Sequence, residues 1–87
     1  MKLHVQAHLT EEKHLDQDKV KDLKEDLLTV LESHASEFKV GDLFYQVIKY
    51  VTYSLYVNAC NHGMAGDILN ESVNDGINQY VNTNEEK

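Results

Sequence analysis

The chain has 87 residues, with 15 acidic side chains against 8 lysines and no arginine, a formal net charge of −7. That length holds one domain, and the acidic excess argues against direct contact with nucleic acid, whose phosphates are bound by neutralising lysine and arginine. A single cysteine, Cys60, excludes an internal disulfide and a multi-cysteine zinc site, and no apolar run approaches the roughly 18 residues of a membrane span.

The hydrophobic fraction, 41%, is that of a folded domain. A domain this small buries only roughly 60–65% of the surface its unfolded chain exposes, which leaves little stability for strain or a deep pocket. The expectation is a single acidic domain over residues 1–87, mainly α: three helices with a short N-terminal extended segment. The N-terminus alternates polar and apolar residues and lacks the continuous apolar stretch of a secretion signal, so the expected location is cytoplasmic.

Residues 1–9 come first. Met1, Leu3, Val5, Ala7 and Leu9 alternate with Lys2, His4, Gln6 and His8, the period of a half-buried strand or extended arm. No partner strand is evident in the rest of the chain. Such a strand pairs across a two-fold axis, joins another protein's sheet edge, or is not a strand.

The first helix is expected near residues 18–34, capped by Thr10, Asp16 or Asp18. Val20, Leu23, Leu27, Leu28, Val30, Leu31 and His34 fall on one arc at 100° per residue. Asp22, Glu25, Asp26, Thr29 and Glu32 fill the other side, with no glycine or proline between them.

A connection over residues 35–41 leads to a second helix, near residues 42–61, with Asp42 as its expected cap and Gly63 as its stop. The run LFYQVIKYVTYSLYV is rich in residues that favour strands. A strand of that length without a turn would be unusually long, which favours the helix. Phe44, Val47, Ile48, Val51 and Leu55 share an arc expected to be core. The third helix is expected over about residues 67–82, capped by Asp67. Leu69, Val73, Ile77 and Tyr80 lie on one face, and Gly76 offers a close approach to another helix. Residues 83–87 read as a frayed tail.

Candidate chemistry is sparse. His4 and His8 have a metal-ligand spacing on a helix, but stand ~13 Å apart on a strand, too far for one ion. Cys60 lies near a helix C-terminus, whose partial negative charge disfavours a thiolate. The carboxylate pairs Glu11/Glu12, Glu25/Asp26 and Glu85/Glu86 lie on wet faces or in the tail, not in a pocket that shifts a pKa. Asp16-Gln17-Asp18 opens like a calcium loop but lacks the later glycine and glutamate. The expectations are therefore no enzyme activity, no cofactor and no metal.

The tyrosines carry the most information. All but one of the five lie within residues 45–56. Tyr45 and Tyr56 stand on one flank of the second helix, Tyr53 lies nearly opposite its core arc, and Lys49 sits among them. Tyr50 and Val57 occupy the other flank. A helix apolar or aromatic almost all round is either wrapped by other elements or meets a partner. Tyrosine suits interfaces because it combines large area with a polar tip.

The expected function is a protein-binding module, an inhibitor or adaptor of a larger protein. It acts through Tyr45, Lys49, Tyr53 and Tyr56, with Asp22, Glu25 and Asp26 as an electrostatic contribution. Small acidic proteins of this kind are common among phage and mobile-element products that bind host machinery. Two alternatives stand beside it. One is a self-associating assembly protein, such as a homodimer. The other is an acidic mimic of nucleic acid, with Asp18, Asp22, Glu25, Asp26 and Glu32 lying in a partner's basic groove.

Overall fold

A computed structural model describes Val5 and residues 9–85, the last by its backbone alone. The fold is all-α with three helices: α1 (Gln17–His34), α2 (Val40–Asn58) and α3 (His62–Glu85), preceded by a 3-10 turn at Glu12–His14. There is no strand among the described residues. The chain divides into two compact units, Thr10–Val51 and Met1–Leu9 with Thr52–Lys87, and the division falls inside α2.

In the first unit, Asp16 starts α1. Its Oδ1 accepts from the backbone N–H of Asp18 at 3.0 Å and of Lys19 at 3.3 Å, satisfying two of the donors a helix N-terminus leaves free. Gln17 ties the 3-10 turn to the helix by donating its side-chain amide to the Glu12 carbonyl at 3.0 Å. After His34 the backbone tightens, with Glu37 N–H on the His34 carbonyl at 3.0 Å.

Helix α2 begins earlier than expected, with Leu43 N–H donating to the Lys39 carbonyl at 2.9 Å. Asp42 therefore sits in the first turn of α2, where its charge suits the helix dipole, and is not its cap. Glycine at position 41 costs helix stability but does not forbid helical dihedrals, so the helix extends back through it.

Leu43 is the one buried residue of this unit, and Val20, Leu31 and Val47 are half-buried. The expected core arc is displaced. Phe44, Ile48 and Val51, and Leu27 on α1, are exposed. A helical arc defines which residues share a face; a neighbouring element decides which part of that face is covered. Here the cover falls on Leu43 and Val47, at the edge of the expected arc.

In the second unit, α2 ends at Asn58, whose side-chain amide donates to the Ser54 carbonyl at 2.7 Å. The terminal Asn58 carbonyl accepts from Val5 N–H at 3.2 Å, and Val5 forms a single parallel bridge with Ala59. Val5 thus has a partner within the chain. The rest of the alternation in residues 1–8, with His4 and His8, lies outside the described residues.

Helix α3 starts at His62, five residues before its expected first residue. Its cap is Asn61, whose Oδ1 accepts from Met64 N–H at 2.6 Å. Gly63 is therefore a helical residue and not a stop, and no glycine in the described chain has a positive φ. Asp67 lies inside α3, not at its start. The helix continues through residues 83–85, which were expected to fray.

Ala65 is fully buried, and Thr52, Leu55, Tyr56, Met64, Gly66, Ile68 and Leu69 are half-buried around it. The small residues let the helices approach closely: a Cβ on Gly66 would lie 3.3 Å from the Tyr56 hydroxyl. Val73 and Ile77, expected as core, are exposed.

Candidate protein-binding faces

Helix α2 carries four of the five tyrosines. In the first unit, Tyr45 is 62% and Tyr50 70% exposed. The Lys49 ammonium lies 5.7 Å from the centre of the Tyr45 ring, a cation–π contact that holds an exposed ring and a flexible lysine against each other.

Tyr50 also lines an open groove of about 410 Å³, together with His34, Glu37, Phe38, Leu43, Gln46, Val47 and Val51. The groove is floored by apolar atoms of α2 and the turn before it. Its polar rim includes the His34 imidazole, whose Nδ1 lies 2.8 Å from Glu37 Oε1. His34, Val47, Tyr50 and Val51 were placed on helix faces from sequence, but the groove they line was not foreseen. His34 at the end of α1 and Phe38 in the connection are aromatic residues on its lining, but a groove depends on how separate segments come together.

On α1, Asp22, Glu25 and Asp26 are exposed and follow one another along the side opposite the apolar arc. None of the three is in an ion pair among the described residues; the pairs there are Lys13–Glu11, His14–Glu11 and His34–Glu37, all exposed. The three carboxylates are thus exposed to solvent, and Tyr45, Lys49 and the acidic row belong to the same compact unit.

The second unit holds the other two predicted residues. Tyr53 is 66% exposed. Tyr56 is half-buried: its ring centre lies 5.7 Å from that of His62, with its hydroxyl against Gly66. Its contacts are within the fold, so Tyr56 offers a partner much less than Tyr53 does.

Cys60 is exposed in the connection between α2 and α3. Among the described residues no three histidine, cysteine or carboxylate side chains gather to hold a metal ion, and no helix is long and apolar enough to cross a membrane. No family model, no curated protein and no solved structure matches the chain.

Proposed function

We propose that the chain is a non-enzymatic protein-binding module, an inhibitor or adaptor that acts in the cytoplasm on a larger protein with a basic surface. The observation that carries this reading is the Tyr45–Lys49 pair, exposed on α2 in the same unit as the exposed carboxylates of α1. Tyrosine supplies area with little rotamer entropy to lose. The row Asp22, Glu25 and Asp26 steers a basic partner toward it. Tyr53 is a second anchor.

The acidic row also supports the mimicry reading, in which the carboxylates stand in for phosphates and the tyrosines are secondary. Affinity capture separates the two. The tagged wild-type chain retains a partner from lysate, and the Tyr45→Ala/Tyr53→Ala variant loses it. Capture that survives the tyrosine changes and disappears when Asp22, Glu25 and Asp26 become amides would establish mimicry instead.

A further inference from the structure

We draw no further inference here: the strongest candidate, the apolar groove along α2 that His34, Phe38, Leu43, Val47 and Tyr50 line, is open to solvent, and nothing in the structure shows what covers it.

Discussion

An asparagine and an aspartate decide where two of the helices begin. Asp16 and Asn61 each place a side-chain oxygen on free backbone donors, whereas Asp67 lies inside α3 and has no cap to make. Asn61→Ala should therefore cost about 1 kcal/mol in denaturant unfolding, and Asp67→Ala almost nothing. A loss for Asp67→Ala with none for Asn61→Ala would show that α3 starts at Asp67. Asp16 was one of three caps the sequence left open ahead of the apolar period, and its hydrogen bonds decide among them. Asn61 was hidden by His62 and Gly63, which read as a terminator: glycine permits a left-handed end but does not impose one.

Gly66 poses the opposite problem. Alanine there should gain the ~1 kcal/mol of helix propensity that glycine forfeits, but its Cβ would meet the Tyr56 hydroxyl at 3.3 Å. Gly66→Ala should accordingly stabilise the chain more in a Tyr56→Phe background than in the wild type. A double-mutant cycle with no coupling between the two sites would place Tyr56 away from α3.

Helix α2 shows how far periodicity reaches. Its existence, its length and the sharing of a face by Phe44, Ile48 and Val51 were all readable. Which edge of that face is covered was not, because that depends on where α1 lies. Leu43, 8% exposed, is the buried side chain, while the larger Phe44 is 47% exposed. Leu43→Ala should cost about 2 kcal/mol or more, and Phe44→Ala clearly less despite removing more atoms. The reverse order in thermal or denaturant unfolding would restore the arc centred on Phe44. Leu27→Ala, on the exposed part of α1, should likewise cost less than a buried leucine.

The same limit explains why the tyrosine site was only partly legible. Clustering and helical spacing brought out Tyr45, Lys49, Tyr53 and Tyr56, and three of these are exposed. Tyr56 turns inward because Gly66 and His62 come from α3, whose true start was masked. The groove beside Tyr50 joins residues of α1, the connection and α2, a juxtaposition that no local pattern encodes.

Across the chain as a whole, acidic residues outnumber lysines nearly two to one, and the ion pairs among the described residues are exposed ones that contribute little. Self-repulsion therefore weighs against the folded state. The thermal midpoint should rise as salt increases from about 0.01 to 0.5 M, since screening relieves that repulsion. A falling midpoint would mean that attractive pairs dominate.

Partner binding is the central claim, and association kinetics with the captured partner test it most directly. Tyr45→Ala and Tyr53→Ala should each raise the off-rate at every salt concentration, by up to about thirtyfold for a 2 kcal/mol anchor, with the far-UV spectrum unchanged. Neutralising Asp22, Glu25 and Asp26 together should slow association at low salt, and the effect should fade above about 0.15 M. Tyrosine variants that bind like the wild type, beside an acidic variant that does not bind at all, would contradict the account.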